Sequence, residues 1–192
     1  KNDVAWSPTL SVYEAARDVL RSQNVPWYKD YLHPAIADWW VPNLQHHGSF
    51  LFGWTSTEEA RWKRDYRLWM DAVREFGVRG GLITTGDDAG SNWSLYGFGL
   101  IRELELQEEA GFHPLEVLEH ATANGAKRLG LGDRLGRVRQ GFIADLLVVN
   151  GNPLANLRVL NPYGTDILVV NGKPVDNLSA IDPYGADVRN GH

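Results

Sequence analysis

Apolar side chains recur with a helical period in some stretches of this chain and run continuously in others. Val12, Ala15, Ala16, Val19 and Leu20 share one face of a helix predicted over 11–23. Trp62, Tyr66, Trp69, Met70, Val73 and Phe76 recur at spacings of three and four, the clearest amphipathic helix of the chain. Ser56 with Glu59 three residues on forms a capping box at its start, and Gly77 is expected to stop it. Leu100, Ile101 and Leu104 mark a further helix with Glu-rich outer positions, ending near Gly111. His113-Pro114 opens another, since proline suits a first helical turn. Its predicted inner face is Leu115, Leu118 and Ala121, and a short helix over 125–129 follows.

The continuous runs predict strands. Residues 3–10 read as a short buried strand ending in a Ser7-Pro8 turn. Residues 78–85 read as a second buried strand, opening into Gly86-Asp87-Asp88-Ala89-Gly90. Residues 142–149 and 166–170 each close on Asn-Gly and predict two strands of one small sheet. The order strand, helix, strand, helix up to about 130 predicts parallel βα units. A separate β element follows over 131–178, and the polar tail over 179–192 is expected to be peripheral. Between 24 and 56 the period fails. Prolines stand at 26, 34 and 42 among Trp27, Tyr28, Tyr31, Trp39, Trp40, Phe50, Phe52 and Trp54. That density of aromatics predicts an ordered, irregular excursion with a short helix or two.

Composition narrows the classes of function. The 192 residues suffice for one domain or for parts of two. A net charge of −5 without a basic cluster argues against a nucleic-acid partner. The absence of cysteine excludes disulfides, thiol nucleophiles and cysteine metal sites. No apolar run approaches the roughly 20 residues of a membrane span. The chain opens on Lys1 and its only methionine is Met70, so a preceding segment, with any targeting signal, is expected to be missing.

Three motifs, with a shorter stretch near the start beside them, carry a resemblance. Thr84-Thr85-Gly86-Asp87-Asp88-Ala89-Gly90 is similar to the loop after the last barrel strand of the amidohydrolase superfamily, above all its imidazolonepropionase-like and dipeptidase-like branch. Residues 111–157, with Ala144-Asp145-Leu146-Leu147-Val148-Val149 at their centre, resemble the closing helices of that family and its return to a small β-sandwich. Residues 167–175 resemble the last sandwich strand, and Pro8-Thr9-Leu10 is similar to the end of the seventh barrel strand. The resemblance implies an α/β fold, the C-terminal portion of a (β/α)8 barrel plus strands of a β-sandwich. A full barrel takes about 250 residues. The chain then supplies residues 1–130 as the last two βα units, and the remainder of the barrel comes from the same polypeptide or from another chain.

The implied activity is metal-dependent hydrolysis of an amide or peptide-like C–N bond. The implied cofactor is a divalent metal, zinc for preference, as one or two ions whose other ligands lie outside this chain. By motif register Asp88 is the metal-site and catalytic aspartate. It takes a proton from the attacking water and passes it to the leaving nitrogen. The plain alternative is that Asp88 only caps the next segment. Asp87 stands where the family has Ser or Thr, and a turn or supporting role fits it better. Tyr96 stands where relatives carry a histidine near the substrate, which makes it a candidate substrate-binding residue. The 11–56 excursion follows a barrel strand and so faces the catalytic side. Its aromatics, Trp39, Trp40, Phe50, Phe52 and Trp54, are a candidate lid or pocket wall, or else a satellite core. His46-His47 is a weak metal candidate, because adjacent residues of a strand face opposite ways. His113 and His120 read as helix-end and surface residues, and His33, which also precedes a proline, is expected to have no partner. The glycine-rich stretches at 96–99 and 130–136 lack the third glycine of a nucleotide loop. Two other readings compete: a deaminase on the same scaffold, and a catalytically silent binding or structural subunit. An oligomeric assembly is expected.

Overall fold

The structure is a computed structural model. It describes residues 4–18, 24–25, 28–45, 51–90, 93–161, 166–170 and 188–190. Two compact units divide it, one taking in 1–6, 81–84 and 112–192, the other 7–80 and 85–111.

The first unit begins with a parallel pair. Strand β1 (Ala5–Trp6) lies beside β2 (Leu82–Ile83), with Ala5 opposite Leu82 and Trp6 opposite Ile83. Thr84 extends the ladder by donating its N–H to the Trp6 carbonyl at 3.0 Å. The predicted strands are therefore present and parallel, but far shorter than 3–10 and 78–85. Only Ile83 is fully buried, while Val4 and Trp6 are exposed. Among the described residues β1 pairs with β2 alone, and two strands cannot cover both faces of one another.

The same unit carries helix α6 (Pro114–Glu119), a π-helical turn (His120–Asn124) and helix α7 (Gly125–Arg128). The turn's Asn124 donates to the Ile83 carbonyl at 3.0 Å, tying it to β2. The inner face is not the expected one. Val117, His120 and Ala123 are buried, whereas Leu115 and Ala121 are exposed. The buried stripe runs through Val117, His120 and Ala123, and His120 goes inside against Phe112, 4.8 Å away edge to face. His120 is thus a buried residue and not a surface one. Beyond it β3 (Leu146–Val149), β4 (Asp166–Val170) and β5 (Val188–Asn190) form an antiparallel sheet in the order β3-β4-β5. Leu146 pairs with Val170 and Val149 with Ile167, so the two Asn-Gly-closed runs do share one sheet.

The second unit is helical. It holds α1 (Leu10–Arg17), α2 (Tyr28–Tyr31), α3 (Pro34–Trp40), α4 (Ser56–Val78) and α5 (Gly99–Glu109). Helix α1 ends at Arg17, short of the expected 23, with residues 19–23 outside the described set. The long helix α4 buries Tyr66, Met70 and Val73 as its period requires. Tyr66 donates its hydroxyl to the Leu10 carbonyl at 2.8 Å and so closes α4 onto the start of α1. Ion pairs join α1 to α5. Glu14 is buried between Arg17 and Arg102, and Arg17 reaches Glu109 at 2.6 Å. The excursion contributes a satellite core, with Trp40 and Leu95 buried and Ile36, Trp93 and Phe98 packed on them.

Both ends of α4 differ from expectation by a few residues. Its cap is Thr55, not Ser56. Thr55 Oγ1 accepts from the Thr57 N–H at 3.2 Å, and the Thr55 N–H donates to Glu58 at 3.0 Å. Gly77 lies inside the helix, which runs to Val78, and Gly80 at φ 81° takes the left-handed position after it. The cap gives a prediction. Thr55→Ala costs about 1 kcal/mol, whereas Ser56→Ala changes stability by less than about 0.5 kcal/mol. Urea unfolding of both variants checks it, and equal losses refute the placement of the cap.

Candidate functional site around the acidic loop

The two loops that leave the parallel strands meet in the second unit. Residues 7–11 follow β1, and residues 85–90 follow β2. A β-carbon built on Gly86 would lie 3.0 Å from Ser7 Oγ, so glycine permits close approach there. Ser11 donates its hydroxyl to the Asp87 carbonyl at 3.0 Å. Among the described residues, two of the three non-glycine positions with positive φ belong to these loops: Thr9 at 48° and Asp88 at 49°. A β-branched residue such as Thr9 rarely adopts that conformation, which persists only where the surroundings over-determine it.

Asp88 is exposed at the tip of its loop. Among the described residues no group donates a hydrogen bond to its carboxylate. The next helix begins only at Gly99, so Asp88 does not cap it. Asp87 has a different setting. A β-carbon on Gly99 would collide with its carboxylate and come within 2.9 Å of Ser94 Oγ. The Asp87 side chain therefore sits against the first residue of α5, where a helix N-terminus favours negative charge. The two adjacent carboxylates thus differ, one turned into the protein and one left open.

Tyr96 is also exposed, yet its hydroxyl end lies against Gly90 of the loop. Its hydroxyl would overlap a β-carbon placed on Gly90, and its Cε1 would lie 3.3 Å from that carbon. Gly90 stands at φ 113° and donates its N–H to the Ser94 carbonyl at 2.9 Å. This arrangement brings Asp88 and Tyr96 to one loop cluster. It also carries a prediction. Gly90→Ala destabilises by about 1–3 kcal/mol through backbone strain and the clash with Tyr96. Adding Tyr96→Ala relieves only the clash, so the double variant melts above Gly90→Ala and below the parent. Equal melting of single and double variants refutes the contact.

The other candidates separate. Trp40 lies in the satellite core, Trp39 and Phe52 are exposed, and Trp54 stands edge-on to Trp62 at 6.1 Å. Phe50, His46 and His47 lie outside the described residues. His33 and His113 are helix-end residues. Each accepts at Nδ1 from the backbone N–H two residues on, at 3.2 Å. No group of three or more potential metal-ligating side chains exists among the described residues. Asp88 fits a cation as one oxygen donor: an open carboxylate with no competing hydrogen bond from its described neighbours.

The sequence reading missed the polar groups behind the loop. Glu103 and Gln107 lie on α5 with no exposed surface, although Glu103 was expected on an outer position. The Ser11 N–H donates to Glu103 Oε2 at 2.8 Å. Gln107 Nε2 donates to Glu103 Oε1 at 3.3 Å and reaches Thr85 Oγ1 at 3.5 Å. Burial pushes the Glu103 carboxyl up to about 7, against the opposing hydrogen bond from the Ser11 backbone. The signal was present in the spacing, since Gly99, Glu103, Leu106 and Ala110 form one buried stripe.

Comparison with known proteins adds the lineage. The model of the amidohydrolase family matches residues 56–175. No curated protein matches the chain. Among solved structures, a Xaa-Pro dipeptidase with methionine bound in its active site is 24% identical, with a TM-score of 0.56 over 88% of this chain and 35% of that one. A putative prolidase from Bifidobacterium longum is 25% identical, with a TM-score of 0.51 over 93% of this chain and 39% of that one. A prolidase complexed with N-methylphosphonate-L-proline is 19% identical, with a TM-score of 0.53 over 88% and 35%. The chain spans well under half the length of each. These likenesses imply an α/β fold of the TIM-barrel type, to which the β1–β2 pair conforms. With more than half of its residues matched by the family model, the chain belongs to the amidohydrolase family.

Proposed function

We propose that this chain is the C-terminal part of a metal-dependent hydrolase that cleaves a C–N bond in an amide or peptide-like substrate. The observation that carries the reading is Asp88: an open carboxylate on the loop that follows the second of two parallel strands. Catalytic groups of barrel enzymes gather at that end of the strands. Membership of a family that generally uses divalent metals supports the cofactor, and the dipeptidase and prolidase neighbours support the bond.

A divalent cation, zinc in this proposal, makes hydroxide available near neutral pH when bound. Asp88 would supply one oxygen ligand, and the remaining ligands would come from the rest of the barrel. One carboxylate oxygen of Asp88 takes a proton from the attacking water. The water oxygen bonds to the carbonyl carbon, the C–N bond breaks, and Asp88 returns the proton to the leaving nitrogen. Tyr96, beside the same loop, would offer its hydroxyl to substrate. Residues 1–130 then form the last two βα units, with the 11–56 excursion on the catalytic face. Residues 131–178 contribute strands of a β-sandwich, and 179–192 form a peripheral tail.

The full-length protein tests the reading. Metal analysis should find divalent cation near one or two per chain. A panel of Xaa-Pro and other dipeptides should yield free amino acids without ammonia. Ammonia release from a heterocycle with no dipeptide cleavage would select the deaminase reading. A folded, metal-free and inactive protein would select a binding subunit.

A further inference from the structure

We propose that Ser11, Glu103 and Gln107 form a buried clamp that sets the conformation of the acidic loop and thereby positions Asp88, an inference that rests on the catalytic reading of Asp88. The clamp begins with an unmet need. Helix α1 starts after Thr9, whose side chain makes no capping bond. Its first N–H groups therefore require an acceptor from elsewhere. Glu103 supplies one by accepting from the Ser11 N–H at 2.8 Å, across 92 residues of chain. A carboxyl oxygen accepts such a bond whether or not the group carries its proton. Gln107, one turn further along α5, holds the other oxygen of Glu103 at 3.3 Å and stands 3.5 Å from Thr85 Oγ1.

Ser11 then transmits this order to the loop. Its hydroxyl donates to the Asp87 carbonyl at 3.0 Å. That carbonyl belongs to the peptide plane joining Asp87 to Asp88. The φ angle of Asp88, 49°, is the rotation that departs from this plane. Fixing the plane fixes the start of the rotation. The strained left-handed conformation needs such support, and the direction of the Asp88 carboxylate follows from it. Apolar residues at 103 and 107 would fill the same space but leave the Ser11 N–H buried and unpaired. Ser11, Glu103 and Gln107 are positioning residues: all three are buried and act on Asp88 through the loop backbone.

The test uses the full-length, metal-loaded enzyme with a cleavable dipeptide, and reads both kinetics and amide hydrogen exchange over residues 85–90. Ser11→Ala should raise exchange there at least about tenfold. It should lower kcat about ten- to a hundredfold with KM within about twofold, the signature of a displaced catalytic group. Ser11→Thr keeps a hydroxyl and should recover most of both effects. Glu103→Leu should behave like Ser11→Ala, and Glu103→Gln, which keeps an acceptor for the Ser11 N–H, should stay close to the parent. Unchanged exchange in Ser11→Ala and Glu103→Leu overturns the clamp. Raised exchange with unchanged kcat overturns its positioning role. The role of Asp88 is read separately from Asp88→Asn: unchanged turnover there discards the catalytic reading, while the exchange data still decide whether the clamp holds the loop.

Discussion

On the proposed role of Asp88, Asp88→Asn is expected to lower the turnover of the full-length protein about a thousandfold while its melting temperature stays near that of the parent. General acid–base catalysis contributes roughly two to four orders of magnitude, and loss of a charged ligand adds to that. Stability is spared for two reasons. Asp88 is exposed and accepts no hydrogen bond from the described residues around it. Its φ of 49° is also one that asparagine adopts more readily than most residues. Alanine is the less clean variant, since it adds backbone strain to the lost carboxylate. Steady-state kinetics with a dipeptide substrate, beside a thermal melt, decide the matter. Turnover within about threefold of the parent would exclude Asp88 from the chemistry.

Raising the pH from about 4.5 to about 8 removes roughly 3 kcal/mol of stability through Glu103 alone, at 1.36 kcal/mol per pK unit. The buried carboxyl keeps its proton up to about 7, whereas an unfolded glutamate releases it near 4.5. Across that window the folded state binds more protons than the unfolded one, so unfolding becomes easier as pH rises. The stabilisation is complete below about 4.5 and gone above about 7 to 8. Its physical origin is desolvation of the charged form at a site with no exposed surface. Glu103→Gln removes the titration and leaves an amide in the same place. Urea unfolding of parent and variant at several pH values isolates the effect as the difference between the two profiles. Parallel profiles would refute the buried, proton-holding carboxyl.

How much of this was legible in the sequence depended on where the partners of each residue lie. Helix α4 was legible because its partners are its own neighbours in turn: Tyr66, Met70 and Val73 fall on one face. His113 was legible as a helix opener because it is followed by proline and bonds a group two residues away, whereas His33, expected to have no partner, caps its helix in the same way. The cap at Thr55 was missed by one residue, since adjacent Thr55 and Ser56 can both cap and only geometry chooses. Glu103 and His120 were misplaced because charge and polarity argued for the surface. Their burial rests on Ser11 and on Phe112, groups that local spacing does not reveal.

By itself the sequence determined the helical periods and the strand that opens into the acidic loop. Those features are local: side-chain period, turn chemistry and short motifs. Only the tertiary structure decided the register that sets Ala5 opposite Leu82, that Asp87 turns in against Gly99 while Asp88 stays open, and that Glu103 holds Ser11 behind the loop. Buried polar groups must find partners wherever the fold brings them, and here the bonds from Ser11 span 76 and 92 residues of chain. Satisfaction at that range belongs to the packed chain and has no local signature.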